Sequence, residues 1–131
     1  MKKIILAVDD DRNDRELLKL YLEYSFKKCP SLEKNMPFIR IAKDGEDAWD
    51  ILTKEKVTPN VMIVDYKMTG MNGVELIKKT KGELGINPIF VICSDHSLAE
   101  TEAREANCMF VKKGEREKFR QLTEKIRLFI P

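Results

Sequence analysis

Residues 61–77 read VMIVDYKMTGMNGVELI: four apolar residues end on a single carboxylate, Asp65, and break into a turn before an amphipathic stretch begins. A short apolar run without polar alternation reads as a strand buried on both faces. An acid at the end of such a strand is costly unless something there uses its charge. A solvated strand end is the plain reading of Asp65. A carboxylate displayed at the mouth of a buried sheet is the sharper one, and the rest of the chain decides between them.

The same pattern recurs outward in both directions. Residues 4–8, IILAV, form a buried-strand candidate that stops at Asp9, Asp10 and Asp11. A helix is expected next, with Asn13 as N-cap, Glu16 three residues on, and Leu17, Leu20, Tyr21 and Tyr24 at helical spacing. Residues 27–37 are a polar, proline-bounded loop, and FIRIA, 38–42, alternates like an edge strand. GEDAWDIL, 45–52, is a short helix with Ala48, Ile51 and Leu52 on one side. Residues 74–81 give a third helix, and PIFVIC, 88–93, a strand buried on both faces. A weak helix over 98–106 has mostly alanine on its apolar side, MFVKK, 109–113, is a fifth strand, and Phe119, Leu122, Ile126 and Phe129 or Ile130 space a final helix. Five strand–helix units in strict alternation imply one α/β domain over residues 1–131, a doubly wound parallel sheet with helices on both faces.

Composition excludes several classes of function. Lys and Arg number 24 against 22 Asp and Glu, so no basic surplus points to nucleic acid or to an anionic membrane. MKKIILAV imitates a secretion signal, but its apolar part runs straight into three aspartates. No apolar run approaches the ~20 residues of a membrane span. Three cysteines with no CxxC pair suggest neither a disulfide framework nor a zinc site. Cys29 reads as a loop residue, Cys108 as a small core filler, Trp49 as a packing residue and His96 as solvated. A cytoplasmic protein is expected.

In doubly wound sheets ligands sit beyond the carboxyl ends of the strands. Those ends carry Asp9, Asp10 and Asp11; then Asp65; then Cys93, Ser94 and Asp95; then Lys112 and Lys113. Neighbouring strands lie ~4.8 Å apart, so the acids of the first and third strands converge. Like charges that close need a cation or a shared proton. Hard oxygen donors without His or Cys suit Mg2+ rather than zinc or copper. A carboxylate beside such a cation is a candidate phosphoryl acceptor, with a lysine to neutralise the phosphoryl oxygens.

These stretches resemble the response-regulator receiver domain over about residues 3–129. ILAVDDD (5–11) is similar to the family's first strand and acidic pair, and VDYKMTGMNGVELI (64–77) to its phosphoacceptor strand and turn. PIFVICSD (88–95) and ANCMFVKKGE (106–115) resemble the strands that end in Thr or Ser and in lysine. The resemblance implies a flavodoxin-like (βα)5 fold with strand order 2-1-3-4-5. It implies Asp65 as phosphoacceptor and Mg2+ held by Asp9, Asp10, Asp65 and the backbone carbonyl of Lys67. Lys113 matches the family's lysine and places Phe110 at its aromatic switch position; Lys112 is the alternative. A histidine kinase or phosphotransfer protein would donate the phosphate, and a downstream protein target would read it.

The chain also departs from the family. Thr69 stands where proline is usual, which should loosen the turn. Cys93 aligns with the Thr or Ser that grips the phosphoryl group, so either Cys93 or its neighbour Ser94 meets it. Gly114 follows the lysine in place of proline, and the stretch from Cys93 to Lys113 is two residues short, so a short fourth helix is expected. The expected protein is no enzyme beyond its own phosphoryl transfer and dephosphorylation. With no output segment after Pro131, and unless the sequence is a piece of a longer chain, it would act through protein contacts, as a monomer or a phosphorylation-dependent dimer. The alternative is a pseudo-receiver, a phosphorylation-independent binding module of the same fold. A DxD phosphatase lacks the expected lid, and a flavin phosphate would be repelled by three aspartates.

Overall fold

The apolar runs form five parallel strands, β1 (Ile4–Val8), β2 (Phe38–Ala42), β3 (Val61–Val64), β4 (Ile89–Ser94) and β5 (Met109–Lys112), in the order β2-β1-β3-β4-β5. The computed structural model describes residues 3–27, 36–114 and 116–129. The strands are followed in turn by α1 (Arg12–Lys27), α2 (Gly45–Thr53), α3 (Gly73–Lys79), α4 (Ala99–Glu105) and α5 (Arg116–Phe129). The sheet order and the βα alternation are those expected, and α4 is indeed short, with seven residues.

Two-residue alternation divides the core between the two faces of the sheet. Leu6, Val8, Met62, Val64 and Ile92 turn to one side, against Ala48, Ile51 and Leu52 of α2, Leu76 and Ile77 of α3, and Ala99 and Ala103 of α4. Ile5, Ala7, Val61, Ile63, Val91 and Cys93 turn to the other, against Leu18, Leu22 and Phe26 of α1 and Leu122 and Ile126 of α5. Each fully buried Leu or Ile contributes about 1.5–3 kcal/mol over exposure, so both faces anchor the rim firmly. The side chains of Phe119 and Phe129, and all of Cys29 and Ile130, lie outside the described residues. Trp49 packs against the core with the Lys79 ammonium 4.3 Å above its ring. Cys108 is partly buried against the same cluster.

Two expectations for α1 are corrected. The helix begins at Arg12, not after Asn13, because Asp11 caps it: the Asp11 carboxylate accepts the Asp14 amide at 3.0 Å and its carbonyl accepts the Arg15 amide at 2.9 Å. Glu16 pairs with Arg12 at 3.3 Å instead of closing a capping box. The inward stripe is Leu18, Leu22 and Phe26, whereas Leu17, Leu20, Tyr21 and Tyr24 face outward. Both stripes have helical spacing, and the buried one is the stripe that packs on the sheet and α5. His96 is likewise not simply solvated, since its ring lies 5.0 Å from that of Tyr66.

Candidate functional site

The register sets the site. Val8, Val64 and Ile92 lie level across β1, β3 and β4, so Asp9 and Asp65 leave adjacent strands just beyond the same line. The Asp65 amide still donates to the Val8 carbonyl at 2.8 Å, so the acid sits on the last rung of the ladder. Gly73 seals the turn behind it: a Cβ there would collide with the Asp65 carbonyl oxygen. This glycine is needed to bring α3 against the acceptor strand.

Lys113, one residue past β5, reaches across to three acids. Its Nζ lies 2.9 Å from Asp9 Oδ2, 2.9 Å from Asp14 Oδ2 and 3.1 Å from Asp65 Oδ2. The second oxygen of Asp9 accepts the Asp11 amide at 2.9 Å, and Arg15 donates to the Asp9 carbonyl at 2.9 Å. Asp10 is exposed and accepts the Thr69 amide at 3.3 Å. Proline lacks that N–H, so Thr69 adds a tether between the acidic pair and the turn where a loosened turn was expected.

Carboxylate oxygens of Asp9, Asp10 and Asp65 all lie within 4.8 Å of one another. An all-oxygen, all-carboxylate set fits a hard divalent cation. The electrostatics match that reading. Burial first, then the Asp9 charge, pushes the Asp65 carboxyl up to about 7, over the opposing pull of Lys113. Burial works against the Lys113 ammonium, but its bonds to Asp14 and Asp9 and the charge of Asp65 outweigh that and hold it above the usual lysine range.

A cavity of about 340 Å³ opens beside the acids, lined by Asp9, Asp14, Asp65, Cys93, Lys112 and Lys113 with Leu17, Leu18 and Tyr21 of α1. Cys93 therefore faces the site, and burial pushes its thiol up to about 12, so it is protonated at neutral pH. Ser94 ends β4 buried, and its Oγ accepts the His96 amide at 3.0 Å. Lys112 is exposed opposite Ser94, and only the next lysine meets the three acids. Gly114 follows at φ +82°, a conformation closed to proline. Phe110 is partly buried against the α2–α4 face of the core, and Lys67 is exposed on the turn after Asp65.

The structure thus gathers Asp9, Asp10, Asp65, Lys113 and Cys93 at the rim, while the Ser94 hydroxyl is on the His96 amide and Phe110 packs against the core. It adds two residues the sequence reading passed over, Asp14 and Arg15. The available signal was Asp14's place three residues after the cap at Asp11, which returns it to the rim.

The response regulator receiver domain family matches this chain over residues 5–124, and the chain belongs to that family. A chemotaxis protein CheY homolog of Campylobacter jejuni is 39% identical over 98 residues, covering 73% of this chain and 68% of that protein. The two-component response regulator ARR15 of Arabidopsis thaliana is 31% identical over 106 residues, covering 80% of this chain and 50% of that protein. The chain spans about half the length of several of the plant response regulators it matches. Among solved structures, the response regulator TrrA of Thermotoga maritima in complex with Mg(2+)-BeF superposes with a TM-score of 0.73 at 25% identity, over 96% of this chain and 97% of that one. The Francisella response regulator 1452 receiver domain, at 19% identity, shares the fold with a TM-score of 0.75 over 98% and 97% of the two chains. Among the described residues no helix is long and apolar enough to cross a membrane.

Proposed function

We propose that this receiver domain is a phosphorylation-driven signalling switch in which Asp65 accepts a phosphoryl group from a histidine kinase or phosphotransfer protein. The observation that carries the reading is the buried Asp65 carboxylate, one oxygen on Lys113 at 3.1 Å, within ligand distance of Asp9 and Asp10. A carboxylate oxygen of Asp65 forms the new bond to phosphorus as the phosphorus–nitrogen bond of a donor phosphohistidine breaks, its electron pair leaving on the imidazole. Lys113 neutralises the phosphoryl oxygens, and Arg15 and the Asp11 amide hold Asp9 in place. Mg2+ on Asp9, Asp10, Asp65 and the Lys67 carbonyl would neutralise the transferring group and favour ionised Asp65. Cys93, lining the cavity, is the better candidate to meet the phosphoryl group, since Ser94 already holds the His96 amide. Output runs through contacts with a downstream protein in the cytoplasm.

Cys93 also favours the second reading, a pseudo-receiver that binds a partner without phosphate, because a thiol is a weak donor where a hydroxyl is usual. Acetyl phosphate with Mg2+, followed by intact mass, separates the two. One added phosphate is expected, lost with a metal chelator and absent in Asp65→Asn. An unmodified wild-type chain would favour the pseudo-receiver.

A further inference from the structure

A lysine ammonium has three N–H donors; Lys113 donates to Asp14 at 2.9 Å and to Asp65 at 3.1 Å and pairs with Asp9 at 2.9 Å. A phosphoryl oxygen arriving at Asp65 therefore meets a cation already in contact with three carboxylates. The three acids are unequal. The side chains of Asp9 and Asp65 are 6% and 8% exposed, that of Asp14 40%. A carboxylate released from an ion pair must be rehydrated, which is costly for the two buried acids and cheap for Asp14. Asp14 is also held firmly at this place: its amide is on the Asp11 carboxylate at 3.0 Å, and Leu18 and Leu22 below it anchor α1 to the sheet.

We propose that Asp14 is a positioning residue that competes with the phosphoryl group for the Lys113 ammonium and so sets how readily Asp65 is phosphorylated. This rests on the reading of Asp65 as acceptor. Phosphorylation exchanges one hydrogen-bond acceptor on Lys113, the Asp14 oxygen, for a phosphoryl oxygen. Lys113 stays an ammonium throughout, and Asp14 turns to water. The site thereby carries its own brake, and a donor able to displace Asp14 passes it more easily than a small one.

The test follows phosphorylation of the full chain with Mg2+ by two small donors, acetyl phosphate and phosphoramidate, in wild type, Asp14→Asn and Asp14→Glu, with beryllofluoride affinity in parallel. Asp14→Asn should be phosphorylated about three- to tenfold faster by both donors, the range of a half-exposed charge-assisted bond, and should bind beryllofluoride more tightly. Asp14→Glu, which keeps the charge, should restore the slower rate; circular dichroism shows that each variant folds, and Asp14→Ser replaces Asp14→Asn if that one does not. An equal or slower Asp14→Asn overturns the competition while leaving Asp65 as acceptor. Acceleration with acetyl phosphate alone overturns it too, since that is repulsion of a more highly charged donor. Labelling of Asp14→Asn but not of wild type supports the brake in its strongest form. If no variant is labelled, the acceptor reading fails and takes this inference with it.

Discussion

At the amino ends of the strands, Asn60 knits the sheet together with neutral bonds. Its side-chain oxygen accepts the Ile4 amide at 2.9 Å, its own amide donates to the Ile4 carbonyl at 2.8 Å, and its carbonyl accepts the Ile89 amide at 2.9 Å. At the carboxyl ends of the same strands, two buried carboxylates crowd one ammonium, and Asp65 is pushed up to about 7 by burial and its neighbour Asp9. One edge satisfies its polar groups at little electrostatic cost. The other holds charge where folding alone would not place it, and the cavity opens there. Perturbed groups of this kind mark this edge as the candidate functional one.

The largest expected effect comes from removing the cation. Lys113→Ala leaves Asp9 and Asp65 buried without their cation and should lower stability at pH 8 by about 2–4 kcal/mol. Chemical denaturation should show much of the loss recovered near pH 5, as Asp65 takes up a proton. A loss independent of pH would mean that Lys113 contributes through packing.

Next comes Asp65→Asn, which should stabilise the fold. An ordinary aspartate ionises near pH 4 in the unfolded chain, whereas folded Asp65 does so at about 7. Between those values the folded state binds more protons, so stability falls as pH rises through that window and the deficit is complete above pH 7. The amide variant should therefore be about 1–3 kcal/mol more stable at pH 8, an advantage that fades below pH 7 and is gone by pH 4. A constant difference across that range would contradict the electrostatic account of this edge.

The smallest effect belongs to the quiet edge. Asn60→Ala loses the bond to the Ile4 amide and should cost about 0.5–1.5 kcal/mol, equally at pH 5 and pH 8. A strongly pH-dependent cost there would erase the contrast between the edges.

The sheet was legible because each central strand is an unbroken apolar run stopped by acids or lysines, so both the burial and the position of the rim are written in the run itself. Asp9, Asp10 and Asp65 followed from their places at strand ends. The residues alone left Lys112 and Lys113 open; the family resemblance favoured Lys113, and the β4–β5 register, pairing Ser94 with Lys112, brings Lys113 to the acids. The phase of α1 was lost because its two apolar stripes have the same helical spacing, and only packing against the sheet selects Leu18, Leu22 and Phe26. Asp14 was hidden as well, since its contact with Lys113 joins residues 99 positions apart. Long-range charge pairing leaves no periodic trace in a sequence.

The central claim is that the carboxylate ending β3 takes the phosphoryl group. Borohydride reduces an acyl phosphate on aspartate to homoserine, so it marks the acceptor permanently. After phosphorylation with Mg2+ and a small donor, reduction and peptide sequencing should place homoserine at position 65 and nowhere else. Homoserine at position 9, 10 or 14, or none in a chain that has gained phosphate, would contradict it.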